Sequence, residues 1–141
     1  MSSSPSYLLD TNITAYILSG GSKSARLLLQ TTLEVAPVAI SAVTEAEIRF
    51  GLSLKPGAVR LRDAVEKFLQ TIEIRAWDSG AARGYASLRT QLKRSGKSLS
   101  TADLMIAAHA IAAGAILVTH DKAFLHAAPP LSIADWATDV G

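Results

Sequence analysis

The feature that most constrains this chain is a rhythm: short apolar or β-branched runs separated by longer stretches of helical periodicity. Ser6-Tyr7-Leu8-Leu9, Val35 to Ile40, Thr71 to Ala76 and Ala115 to Thr119 read as strands, with Leu131 to Ile133 as a last short one. Between them lie helical stretches from Ile13 to Leu18, Ser22 to Leu33, Ser41 or Thr44 to about Leu54, Ala58 to Gln70, Asp78 to Gly96 and Ser100 to Gly114. Ser, Thr and Asp at the starts can cap the first free N–H groups, and Gly at several ends accepts a left-handed turn. Strands alternating with helices predict an α/β fold: a mainly parallel central sheet with helices on both faces. Strands apolar along their whole length fit a sheet covered on both sides. In such sheets ligands bind beyond the carboxyl ends of the strands, so the residues just after each strand are the place to look for chemistry.

The chain has 141 residues, enough for one domain, with a core expected over about residues 6–136. Hydrophobic residues at 49% and charged residues at 18% exclude a disordered polymer. The absence of Cys excludes disulfide scaffolds and thiolate metal sites and suits a cytoplasmic location. A formal charge of +2 is too small to hold nucleic acid by bulk electrostatics, so any such contact needs a local patch. Met1-Ser2-Ser3-Ser4-Pro5 lacks the charged and apolar regions of a signal peptide. The longest apolar stretch, Leu104 to Val118, contains His109 and Gly114 and falls short of the ~20 residues a membrane span requires.

Two strands end in an aspartate: Leu8-Leu9-Asp10 and Leu117-Val118-Thr119-His120-Asp121. If both strands are central and parallel, both carboxylates lie at one edge of the sheet; singly, each reads equally as a turn residue or a helix cap. Asp103 sits in the first turn of the most apolar helix, on a face shared with Ile106, Ala107 and Ala110, with no Lys or Arg nearby in sequence. It can act as a dipole partner there, but a carboxylate on a buried face needs a counterpart. Glu45 has Arg49 at i+4, an ordinary surface pair, whereas Glu47 shares its face with Val43, Phe50, Gly51 and Leu54 and has no visible cation. Two like charges ~4 Å apart repel by ~4 kcal/mol at an effective dielectric of ~20. Convergence of several acids without a basic side chain therefore points to a divalent cation, and oxygen donors without Cys favour Mg²⁺ or Mn²⁺ over zinc. His109, His120 and His126 lack zinc spacing.

Four segments together resemble the PIN-domain ribonucleases of the VapC toxin type. They are Tyr7-Leu8-Leu9-Asp10-Thr11-Asn12, Ile40-Ser41-Ala42-Val43-Thr44-Glu45-Ala46-Glu47-Ile48, Ala102-Asp103-Leu104-Met105-Ile106-Ala107-Ala108-His109-Ala110 and Leu117-Val118-Thr119-His120-Asp121. Their order and spacing extend over roughly residues 6–136. The resemblance implies a PIN-like three-layer α/β/α fold. It implies an acidic quartet of Asp10, Glu47, Asp103 and Asp121 as catalytic metal ligands, with Asp121 at the family's most variable position. Thr119 matches a supporting hydroxyl, and Asn12 a residue that orients the first aspartate. The expected activity is Mg²⁺-dependent endoribonuclease chemistry by the toxin of a toxin–antitoxin pair, with an RNA substrate, a cognate antitoxin and a homodimer. The early helices from Ile13 to Leu29 and the helix from Ala58 to Leu69 are the surfaces this implies for antitoxin and dimer contacts.

Arg83, Arg89, Lys93, Arg94 and Lys97 concentrate basic charge ahead of Ser100; Lys93, Arg94 and Lys97 are the candidate RNA contacts, against a reading as a solvated helix face. Trp77 and Trp136 read as core or interface residues and His109 as a core or interface histidine, while His120 reads as a turn residue beside Asp121. Two rival readings stay open here: a phospho-accepting signalling domain, which also places an Asp after a strand, and a catalytically silent PIN-fold binding module. The first wants an acidic pair near the first strand, which is absent. No G-x-G-x-x-G follows a strand, which disfavours dinucleotide binding.

Overall fold

The order of the strands explains where the site lies. In a computed structural model describing residues 5–141, five strands form one parallel sheet in the order β3-β2-β1-β4-β5. The strands are β1 (Tyr7–Leu9), β2 (Val38–Ser41), β3 (Glu73–Arg75), β4 (Ile116–Val118) and β5 (Ile133–Ala134). Residues 1–4, on which the expected lack of a leader rests, lie outside the described residues. The chain first builds outward from β1 to β2 and β3. It then crosses back to lay β4 on the other side of β1, in register Leu8 to Leu117 and Leu9 to Val118. The direction of winding thus reverses between β1 and β4, and the crevice at such a reversal is open at the carboxyl ends of the strands.

Alternation along the strands divides the core into two layers. Leu8, Ala39 and Leu117 face α5 (Ser79–Arg94) and α6 (Thr101–Ala113). Leu9, Ile40 and Val118 face the layer formed by α1 (Thr11–Ser19), α2 (Lys23–Leu33), α3 (Ala42–Ser53) and α4 (Val59–Thr71). The expected three-layer α/β/α architecture is therefore observed, with a sheet that is parallel throughout. Close packing of α5 on α6 depends on Gly84, where an added Cβ would lie 3.1 Å from the carbonyl oxygen of Ala108. Among the described residues no helix is long and apolar enough to cross a membrane.

The boundaries shift for local reasons. The second strand starts at Val38, because Val35 is 81% exposed and pairing begins with the Tyr7 N–H donating to the Pro37 carbonyl at 3.0 Å. The last strand is Ile133–Ala134, two residues beyond the expected start. A 3₁₀ helix over Lys122–Ala127, started by Asp121, was not foreseen from the sequence, since six residues are too few for a periodic stripe. Ser41, not Thr44, caps α3, its Oγ accepting from the Val43 N–H at 3.1 Å.

Candidate active site

Asp10 follows β1 directly and serves as the N-cap of α1. Its Oδ1 accepts from the Ile13 N–H at 2.7 Å and its Oδ2 from the Thr119 hydroxyl at 2.6 Å. Thr119 follows β4, and its Oγ1 in turn accepts from the Asp121 N–H at 3.0 Å. With that N–H filling one acceptor position, the hydroxyl proton is directed at Asp10. The short relay ties the ends of β1 and β4 together across the reversal in the sheet. Asp121 caps the 3₁₀ helix, its Oδ1 accepting from the Ala123 N–H at 2.9 Å.

Asp103 enters the same crevice from above the sheet. Ser100 caps α6 through the Asp103 N–H at 3.3 Å, and this fixes the first turn of the helix that carries Asp103. Glu47, on α3, accepts from the Thr11 hydroxyl at 2.5 Å. Thr11 is the first residue of α1, so its side chain links the Asp10 turn to Glu47. Sequence reasoning singled out Asn12 instead. Asn12 is exposed and makes no side-chain hydrogen bond among the described residues; Thr119 and the Ile13 N–H orient Asp10.

The face of α3 that carries Glu47 differs from expectation in one respect. Phe50 and Leu54, read as inward neighbours, are 65% and 66% exposed. Leu54 lies on an open apolar groove of about 470 Å³ lined by residues of α1, α3 and α4, Tyr16, Glu47, Ile48 and Leu61 among them. The distinction between the two glutamates stands: Glu45 pairs with Arg49 at 2.9 Å, and Arg49 also reaches Glu66 at 3.0 Å.

Electrostatics set the character of the crevice. Asp10 is 2% exposed, and its burial raises its pKa to about 6. The hydrogen bonds from Thr119 and Ile13 pull the other way, while the charges of Asp103 and Asp121 raise it further. Asp103 is also shifted upward, first by burial and then by Asp121 and Glu47, against the lowering effect of the Ser100 hydroxyl. The charges that raise Asp10 and Asp103 are those of the other acids, which places the four within one another's reach. None of the four has a Lys, Arg or His ion-pair partner among the described residues. Among those residues, no three carboxylates or imidazoles close into a ligand shell. A hard dication such as Mg²⁺ retains several waters and uses only one or two carboxylates directly, so an open crevice of carboxylates with no ion-paired cation among the described residues fits it.

The remaining candidates fall elsewhere. His109 is buried, and its Nδ1 is 2.8 Å from the Ser41 Oγ, a core histidine joining α6 to the cap of α3. His120 pairs with Asp135 at 2.8 Å. Trp136 is buried, and the half-buried Trp77 donates from Nε1 to the Met105 carbonyl at 3.0 Å. Lys93, Arg94 and Lys97 are exposed; Lys93 and Lys97 line a groove beside the start of α6, of which Arg94 is not part.

Known proteins resemble the chain over most of its length. The sequence profile of the PIN domain matches residues 7–129. Ribonuclease VapC2 of Rickettsia felis is 32% identical over 130 residues, spanning 92% of this chain and 97% of the relative. The tRNA(fMet)-specific endonuclease VapC of Shigella flexneri is 29% identical, spanning 93% and 98%. Among solved structures, VapBC2 of Rickettsia felis bound to a promoter DNA fragment superposes with a TM-score of 0.86 at 31% identity, over 93% of this chain and 98% of that one. A carboxylate crevice at the winding reversal, a matching profile over most of the chain and full-length relatives of one kind lead to one assignment: the chain belongs to the PIN-domain family, among its VapC ribonucleases.

Proposed function

We propose that this chain is the toxin of a toxin–antitoxin pair: a one-domain, Mg²⁺-dependent endoribonuclease acting in the cytoplasm, with Mn²⁺ as an alternative ion. The observation that carries the reading is Asp10, a carboxylate held inside the fold at a pKa of about 6 with two acids nearby and no basic partner. Family membership supports a divalent ion in general terms.

Asp10 and Asp103 would hold the ion, assisted by Glu47 and Asp121. Once bound, it would lower the pKa of a water and offset charge developing on the phosphoryl oxygens. In the hydrolysis, a P–O bond forms to water as the bond to the leaving ribose oxygen breaks. Thr119 keeps Asp10 in one rotamer, and Thr11 does the same for Glu47. These positioning bonds are made before substrate arrives, so little reorganisation remains for the reaction.

The antitoxin would seat an apolar segment in the groove between α1, α3 and α4, and Glu47 lies in that groove's lining. A segment seated there covers one of the proposed ligands. A homodimer is part of the same reading, supported by family membership.

Asp10→Asn and Asp103→Asn are each expected to abolish Mg²⁺-dependent RNA cleavage while circular dichroism and thermal unfolding report an intact fold. RNA-end sequencing after controlled expression, with Asp10→Asn alongside, would identify the cut sites. Full activity in both variants overturns the assigned roles. Cleavage that persists in EDTA overturns the metal.

A further inference from the structure

Beside the acidic crevice lies a second depression of opposite charge. It has a volume of about 270 Å³ and runs between the end of α5 and the start of α6. Leu92, Leu99 and Leu104 contribute its apolar surface, with Tyr85 on one wall. Arg89, Lys93 and Lys97 also line it, and no acidic residue does. None of the three cations forms an ion pair among the described residues.

The sequence builds this groove by folding the chain back. Arg89 and Lys93 share one face of α5 at a spacing of four residues. The helix then ends at Gly96, whose φ of +68° is a conformation that residues with a Cβ seldom adopt. The turn returns the Lys97 N–H to the Leu92 carbonyl at 2.9 Å, which brings the third cation to the others. Tyr85 is held on two sides: edge-on against Trp77 at 6.0 Å, and by Arg89, whose guanidinium donates to the Tyr85 hydroxyl at 2.9 Å. Thr101, the first residue of α6, also lines the groove, and Asp103 two residues later belongs to the acidic crevice. The two sites flank a single turn of one helix.

Three unpaired cations over an apolar floor with an aromatic wall match a nucleotide, which offers an anionic phosphate and a flat base. We infer that this groove is a subsite for one flanking nucleotide of the RNA, its phosphate between Lys93 and Lys97 and its base against Tyr85. The inference rests on the ribonuclease reading and deepens it. The acidic crevice repels a polyanion unless a cation is bound; the groove supplies attraction that does not depend on that ion. It also separates Lys93 and Lys97 from Arg94, which lies one position away on α5 but outside the groove.

The test measures fluorescence anisotropy of a labelled single-stranded RNA of mixed sequence in EDTA, with full-length protein. Lys93→Ala with Lys97→Ala is expected to weaken binding at least ~10-fold at low salt. The double variant should also lower the slope of log affinity against log salt by about 0.7, the contribution of one phosphate contact on a single strand. Arg60→Ala with Lys67→Ala removes the same charge from exposed positions on the opposite layer and should change affinity by less than about twofold. Tyr85→Ala should weaken binding roughly tenfold, and Tyr85→Phe should restore it, because a ring suffices for stacking. In Mg²⁺, the lysine variant should raise KM and leave kcat near wild type. Equal losses from the two double variants, or no loss from the groove pair, overturn the groove. If wild-type protein cleaves no RNA at all, the ribonuclease reading falls; if it cleaves RNA but is indifferent to the groove variants, only this subsite falls.

Discussion

Asp10 and Asp139 both sit at the beginnings of helices, and they are treated in opposite ways. Asp139 lies against the start of α2, where it accepts from the Ser22 hydroxyl at 2.6 Å, the Ser24 hydroxyl at 2.8 Å, the Lys23 N–H at 2.9 Å and the Ser24 N–H at 3.3 Å. These donors, led by the Ser22 hydroxyl, hold its carboxyl well below the usual carboxylate range. Asp10 caps α1 with two close donors, yet burial and two neighbouring acids carry its pKa upward to about 6. A carboxylate at a helix start is favoured by the dipole in both cases. What differs is the count of donors against the desolvation and like charge. The Asp139 cluster is electrostatically complete, a clasp that holds the C-terminal segment to α2. The Asp10 crevice is left short of positive charge, as a site must be if a cation is to be bound there and exchanged.

The sharpest way to break this contrast is to remove the charge from Asp10. Its folded pKa of about 6 exceeds the ordinary value of 3.8, so the stability linked to its proton is fully present below 3.8 and is lost as pH rises through 6. In EDTA at pH 8, Asp10→Asn should therefore be more stable than wild type in urea denaturation, by as much as ~3 kcal/mol, since each tenfold change in proton affinity corresponds to ~1.4 kcal/mol. The gap should narrow on acidification and nearly close at pH 4. A wild type more stable than the variant at pH 8 in EDTA would show that the crevice already satisfies its charge. Mg²⁺ gives a smaller effect of related origin: at ten times its Kd it should stabilise wild type by ~1.4 kcal/mol. Asp10→Asn should not respond, and an equal response would place the ion elsewhere.

The clasp carries the opposite sign. Because the folded pKa of Asp139 lies below 3.8, its contribution to stability is present above 3.8 and is lost as pH falls below that value. Asp139→Asn should lower the urea midpoint at pH 7, and the loss should shrink toward pH 3. Cleavage per folded molecule should stay unchanged, since among the described residues the hydrogen bonds of the Asp139 side chain go to α2 and none to Asp10, Glu47, Asp103 or Asp121. An activity loss exceeding the stability loss would join the two regions that are here set apart.

How far the sequence reveals these regions depends on the range of the interactions. Strand–helix alternation and the caps at Ser22, Asp78 and Ser100 depend on neighbours within a turn or two and were legible, whereas the cap of α3 stayed open between Ser41 and Thr44, and the exposed Phe50 and Leu54 were read as inward neighbours of Glu47. Asp10 and Asp121 were singled out because each follows a strand, Asp103 because it lies in the first turn of an apolar helix, and Glu47 from its helix face. The role of Thr11 was missed, because its partner Glu47 is 36 residues away and no local pattern records that contact. The clasp was invisible for the same reason: Asp139 and Ser22 are 117 residues apart. Gly96 was legible as a helix end, but the groove it creates depends on where α6 begins after the turn.

The finest test of the contrast lies within α3, where a completed and an uncompleted carboxylate are two residues apart. Glu45 is closed by Arg49, which also binds Glu66; Arg49 and Glu66 are exposed and Glu45 is half-buried. Glu47 is held by a neutral hydroxyl and has no ion-pair partner among the described residues. Glu47→Gln keeps an oxygen to accept from Thr11 but drops the charge, so a partial loss of Mg²⁺-dependent cleavage is expected at limiting Mg²⁺, eased by raising its concentration. Glu45→Gln should alter cleavage by less than about twofold at any Mg²⁺ concentration, because a surface pair contributes little to stability and none of its field is directed at the crevice. Equal Mg²⁺ titrations for the two variants would mean that the acids of α3 act only through overall charge. The Thr11 contact would then be a packing detail and not part of the site.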